Sequence, residues 1–149
     1  MNKTLDTTVI IKGILEPRRK KKDAVLEEQI RIYKIASSIL DGIYEGKDKM
    51  FIPTISIVEI AAVASRLTGD KNIGRETADF IRSIASVVNE AVILDEAVSI
   101  AAETKISGFD SIFIACAKVT SSMLITDDKK MHEAALKAGI DAKLLRNLE

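Results

Sequence analysis

Residues 107–139, SGFDSIFIACAKVTSSMLITDDKKMHEAALKAG, read as helix, strand, turn and helix in close succession. Ser107-Gly108-Phe109-Asp110 has the spacing that opens a helix, and Ser111 to Val119 continues it. Met123-Leu124-Ile125 is an apolar run of strand length, broken by the turn Thr126-Asp127-Asp128. Lys129 to Ala138 returns to helical spacing until Gly139 stops it, as a left-handed C-cap residue does. A short strand enclosed by helices cannot close a tight hairpin. Its neighbours must therefore be parallel strands reached through helical crossovers.

Working outward, the same alternation recurs. A last short strand is expected at about Ala142 to Leu145. At the other end, Thr4 to Ile11 is rich in Thr, Val and Ile without helical spacing and predicts a buried strand running into a turn. Ile32, Ala36, Ile39 and Ile43, widened by Leu26, Ile30, Tyr33 and Leu40, predict a long amphipathic helix closed near Gly46. Met50 to Ile52 predicts a strand ending at Pro53, and Ser56-Ile57-Val58-Glu59 has the capping-box spacing for a helix over 57–67. Ala78, Ile81, Ile84, Ala85 and Val88 share a further helical pattern, followed by the apolar run Ala91 to Leu94 and a helix from about Asp95 to Thr104. Together these predict one α/β domain over residues 1–149, built around a mostly parallel sheet.

At 47% hydrophobic and 30% charged residues, 149 residues suffice for a real core. The formal net charge is zero, so any attraction for nucleic acid must be local. A lone cysteine, Cys116, excludes an internal disulfide and reads as a small buried apolar residue. The polar start and the absence of any run of about 20 apolar residues lead to the expectation of a cytoplasmic protein with no membrane partner.

In a parallel sheet, ligands bind beyond the carboxyl ends of the strands. Asp6 lies at the end of the first predicted strand and Asp128 just after the strand Met123 to Ile125, while Glu59 and Asp110 lie in the first turns of two predicted helices whose N-termini open on the same edge. Two like charges about 4 Å apart repel by about 4 kcal/mol at an effective dielectric of 20. A dry cluster of four therefore needs protons or a cation, and oxygen donors without nearby His or Cys suit Mg²⁺ or Mn²⁺ rather than zinc. Each acid also has a plainer reading. Glu59 and Asp110 fit capping boxes, and Asp127 or Asp128 fits a helix N-cap. Asp6 is hardest to explain that way, since a buried unpaired acid is costly.

The block Arg18-Arg19-Lys20-Lys21-Lys22 is either a solvated loop or a contact for a nucleic-acid phosphate backbone, with Lys12, Lys105, Lys129 and Lys130 as the next cations near the acidic edge. His132 reads as a solvated helix residue.

Leu5-Asp6-Thr7-Thr8-Val9-Ile10, Ser56-Ile57-Val58-Glu59-Ile60, Phe109-Asp110-Ser111-Ile112-Phe113-Ile114-Ala115 and Leu124-Ile125-Thr126-Asp127-Asp128-Lys129 resemble, in order, the motifs of PIN-domain ribonucleases. The match spans essentially the whole chain. The resemblance implies a three-layer α/β/α fold and Mg²⁺- or Mn²⁺-dependent endonucleolytic cleavage of single-stranded RNA. Many such proteins are VapBC-type toxins held by an antitoxin, and many are homodimers. Asp6, Glu59 and Asp110 match the three core acids and Asp128 the fourth. Thr126 matches the hydroxyl residue two positions before it, and Thr8 a small hydroxyl after the first acid. Asp127 departs from the pattern, which often has a basic or neutral residue there, and the stretch Glu16 to Lys49 is longer than in minimal toxins. By the same resemblance Asp6 and Asp110 are the principal metal ligands. Glu59 and Asp128 assist, with Thr126 and Thr8 fixing carboxylate rotamers.

Two other readings fit part of the pattern. A haloacid-dehalogenase-like phosphatase would use an Asp after the first strand as nucleophile, but its second Asp is here Thr8. A non-catalytic PIN-like module would bind RNA or a protein without cutting.

Overall fold

A computed structural model describes all 149 residues. Five parallel strands form one sheet: β1 (Asn2–Leu5), β2 (Lys49–Pro53), β3 (Ala85–Val88), β4 (Met123–Thr126) and β5 (Ala142–Leu144). Their order is β3-β2-β1-β4-β5. The helices are α1 (Thr7–Ile14), α2 (Ala24–Tyr44), α3 (Thr54–Thr68), α4 (Lys71–Ile84), α5 (Glu90–Thr104), α6 (Gly108–Val119) and α7 (Lys129–Lys137), followed by a 3-10 turn, Leu145–Asn147.

The chain runs β1 to β2 to β3 in one direction across the sheet, then returns to the far side of β1 for β4 and β5. Because parallel crossovers are right-handed, this reversal sends the early helices to one face and the late ones to the other. Two apolar clusters show the result. One joins α1–α4 to Leu5, Met50, Ile52 and Ile125; the other joins α5–α7 to Phe51, Leu124 and Ala142. Strand alternation sorts the neighbours Leu124 and Ile125 to opposite faces. The expected α/β/α sandwich is thus present, with a sheet that is parallel throughout. The strand order reverses between β1 and β4, the switch point at which such sheets bind ligands.

Three local expectations are corrected. The strand predicted over Thr4 to Ile11 ends at Leu5, and Thr7–Ile14 is helix. Val9, Ile10 and Ile11 are all buried between the sheet and α2, so their packing outweighs the strand preference of β-branched residues, and only Thr8 and Lys12 are left to form a polar face. Gly13 permits that packing, because a Cβ there would sit 2.7 Å from Leu40 Cδ1 and 2.9 Å from the Ala36 carbonyl carbon. Ala85 to Val88 is the edge strand rather than the end of a helix. With Ser86 and Val87 exposed, it lacks the inward alternation that would have marked it. Lastly, Ala91 to Leu94 belongs to α5, which Asn89 starts by accepting the Ala91 amide at 2.9 Å.

Elsewhere the patterns hold: α2 closes before Gly46, and Gly139 follows α7 with a φ of 78°. Cys116 is fully buried. His132 is half-buried rather than solvated, its Nε2 lying 3.2 Å from the Ala142 carbonyl oxygen. No helix is long and apolar enough to cross a membrane.

Candidate active site

At the switch point Asp6 follows β1 as the N-cap residue of α1, with the Thr8 amide near its carboxyl but no full capping hydrogen bond. Instead one oxygen, Oδ2, accepts the Thr126 hydroxyl at 2.9 Å from the end of β4. The same hydroxyl accepts the Asp128 amide at 3.1 Å. Thr126 is wholly buried, so one side chain ties the ends of two central strands together and fixes the Asp6 carboxylate.

Asp128 is the N-cap of α7, and its Oδ1 takes the amides of Lys130 and Met131 at 2.8 and 3.1 Å. Both bonds fall on one oxygen, leaving Oδ2 without a protein partner. Asp110 lies in the first turn of α6, where Ser107 caps the helix by accepting the Asp110 amide at 3.1 Å. Glu59 is placed differently from the capping-box reading. Helix α3 begins at Thr54, its Ile55 amide is taken by Glu90 Oε1 at 2.7 Å, and Ser56 is buried against Thr7 at 3.1 Å. That Ser56–Thr7 bond locks α3 to α1, and Glu59 stands one turn further on, free of the cap.

Asp6, Thr8, Glu59, Phe109, Asp110 and Asp128 line one cleft of about 490 Å³. Burial raises the Asp6 carboxyl above its ordinary range, against the pull of Thr126 and the Thr8 amide, and the charges of Asp110 and Asp128 add to the rise. Burial likewise raises Glu59, with the charges of Asp6 and Asp110 adding to it. Asp110 is raised by burial and by Asp128. The carboxylates thus feel one another across the cleft, and an all-oxygen donor set of this charge fits a hard divalent cation. As they stand, no three of the acids are drawn together closely enough to enclose an ion.

Asp127 lines the same cleft, but both of its carboxylate oxygens are taken by cations. Its Oδ2 pairs with Lys12 Nζ and its Oδ1 accepts Arg146 Nε at 2.9 Å, while Arg146 Nη2 donates to the Asp127 carbonyl at 2.9 Å. Burial pushes Asp127 up, but these two cations outweigh it and hold the carboxyl below its ordinary value. Arg146 and Phe109 line the cleft without having been singled out in sequence. Arg146 lies near the chain end in a turn with no motif, and Phe109 reads as part of a helix start. The basic block divides. Arg18 and Arg19 line a neighbouring cavity of about 580 Å³, where Arg18 Nη1 reaches the Leu67 carbonyl at 3.2 Å and Arg19 pairs with Asp23. Lys20, Lys21 and Lys22 are exposed and line neither space.

Replacing Thr126 by Val should orphan the Asp128 amide and unfix Asp6. The expected cost is about 1–3 kcal/mol, a melting temperature lower by roughly 2–10 °C. Activity should fall about 10- to 100-fold. Thr126→Ser keeps both hydrogen bonds and should recover both quantities; thermal melts and cleavage rates of the pair check this.

Fold and site define a parallel α/β protein with an acidic cleft at its switch point. Residues 3–137 match the PIN domain family, and the chain belongs to it. PIN domains are in general nucleases, and membership removes the dehalogenase-like reading. No curated protein matches the chain. Among solved structures, the chain is similar to VapBC2 from Rickettsia felis bound to a DNA fragment from its promoter, at 14% identity and a TM-score of 0.68, covering 97% of this chain and 98% of that one. FitAB bound to the IR36 DNA fragment is similar at 19% identity and a TM-score of 0.64, covering 99% and 97%. VapBC-1 from nontypeable Haemophilus influenzae is similar at 17% identity and a TM-score of 0.62, covering 97% and 98%.

Proposed function

We propose that this protein is a Mg²⁺- or Mn²⁺-dependent endoribonuclease that hydrolyses phosphodiester bonds of single-stranded RNA, acting as the toxin of a VapBC-type toxin–antitoxin pair. The observation that carries the reading is the gathering of Asp6, Glu59, Asp110 and Asp128 in one cleft, with Thr126 fixing Asp6. Asp6 and Asp110 are the principal ligands for the metal. When bound, the cation neutralises phosphate charge and lowers the pKa of the attacking water. Glu59 and Asp128, through its unpartnered Oδ2, orient the water and the phosphate. Thr126 and Thr8 hold the acids in place, and the charge of each carboxylate is the reason the site turns to a cation.

The similarity to VapBC and FitAB assemblies supports an antitoxin as partner. A homodimer and a cytoplasmic location belong to the same reading.

The test is cleavage of single-stranded RNA, duplex RNA and single-stranded DNA by the full chain, with EDTA and then with Mg²⁺ or Mn²⁺ restored. Single-stranded RNA should be cut only when metal is present, and a circular RNA should be opened. Undiminished cutting in EDTA would overturn the metal dependence, and a preference for DNA would overturn the substrate.

A further inference from the structure

The acidic cleft and the cavity beside α2 meet at Lys12, Asp127 and Arg146, which line both. The Asp127 side chain is only 8% exposed, whereas Lys12 and Arg146 are 41% and 43% exposed. A buried carboxylate therefore anchors two partly exposed cationic side chains. The trio carries one excess positive charge on the rim of an otherwise acidic cleft. Arg146 spends Nε and Nη2 on Asp127, leaving Nη1 free, and the Lys12 ammonium spends one of its three donors. A cluster serving stability alone needs one cation for one anion. Two cations on one buried acid leave donors over for a second anion.

We propose that Lys12 and Arg146, positioned by Asp127, form a phosphate-binding site for a backbone phosphate of RNA next to the one cleaved. The site rests on the nuclease reading and extends it by giving the strand a direction, from the carboxylates toward α2. Beyond the trio the cavity is lined by Ile11, Leu15 and Tyr33 and by Arg18 and Arg19. A nucleotide passing that way meets an apolar and aromatic surface with further cations. Of the acids there, Glu28 is paired to Arg31 and Glu16 is exposed. On the opposite flank, Lys105, Lys130 and Lys137 line a third cavity with Glu133, but none of those lysines is anchored by an ion pair. A fixed cation loses less freedom on meeting a phosphate than a mobile one, which favours the Asp127 side.

The experiment is a salt series of affinity for a labelled single-stranded RNA oligonucleotide, with Ca²⁺ in place of Mg²⁺ to suppress cleavage. Lys12→Gln and Arg146→Gln should each bind roughly ten-fold more weakly and flatten the log–log salt slope by about 0.7 per lost contact. Asp127→Asn removes no cation, so its slope should not flatten, while kcat in Mg²⁺ should fall because the phosphate is less well placed. Ca²⁺ affinity should not fall in Lys12→Gln or Arg146→Gln, since each removes a positive charge from the rim of the acidic cleft. If Arg146→Gln does not fold, the half-exposed Lys12 carries the test alone. Unchanged slopes in both cation variants, or no RNA binding by the wild type, would overturn the site. Binding that depends on Lys12 and Arg146 without cleavage in Mg²⁺ or Mn²⁺ would instead keep the site and remove the nuclease reading.

Discussion

Asp6→Asn should lower RNA cleavage by at least about 1000-fold, within the range that a lost catalytic carboxylate spans, and should leave the protein folded. The Asn oxygen still accepts the Thr126 hydroxyl, so the link between β1 and β4 survives. What disappears is a charge in a place that resists charge. Burial raises Asp6, and Asp110 and Asp128 add repulsion. The folded protein then holds the Asp6 proton more tightly than the unfolded chain does. Its stabilising contribution is complete below the unfolded value and is lost as pH rises through the higher folded one. Without metal, Asp6→Asn should therefore melt at the wild-type temperature below about pH 4 and above it at neutral pH, because only the wild type pays for ionisation. A relief of about 1 kcal/mol would appear as roughly 2–4 °C. Added Mn²⁺ should close the gap by binding the wild type more tightly than the variant. Cleavage at the wild-type rate would remove Asp6 from the site, and a melting difference independent of pH would remove the electrostatic account.

The four acids are separated by up to 122 positions in sequence, from Asp6 to Asp128, yet their convergence was legible because topology does the gathering. Short strands followed by helices imply a parallel sheet, and residues just past such strands share an edge. The ends of β1 and β4 obeyed that rule directly. Asp127 also reaches that edge. In sequence it is as good a ligand as its neighbour, and only the approach of Lys12 from α1 and Arg146 from the last turn decides that both its oxygens are already paired. Those partners lie 115 and 19 residues distant, and no local pattern links them. The helical nature of Thr7–Ile14 was hidden for a related reason. The polar face of this eight-residue helix is only Thr8 and Lys12, too short a repeat to mark a helical period against the Val9-Ile10-Ile11 run. The true start of α3 was equally invisible, since Glu90, 35 residues away, supplies the acceptor that Ser56 seemed placed to provide.

That displaced start makes Glu59 the sharper test. Glu59→Gln preserves the size of the side chain and every hydrogen bond a capping residue would make, but removes the charge. Had Glu59 closed a capping box with Ser56, the variant would be silent in activity, since Gln serves that motif as well as Glu. With α3 opened at Thr54 and Ser56 turned inward to Thr7, no cap is left for Glu59 to serve. Burial and the charges of Asp6 and Asp110 raise its carboxyl while Thr7 pulls it down, which places Glu59 in electrostatic contact with the cleft. Cleavage by Glu59→Gln should fall about 100-fold or more at saturating metal. Its melting temperature should stay close to that of the wild type. Measuring both on one preparation separates the cases: normal cleavage would return Glu59 to the helix surface, whereas a large loss of melting temperature would mean that α3 depends on it structurally. Only lost cleavage in a protein that melts normally assigns the carboxylate to the chemistry.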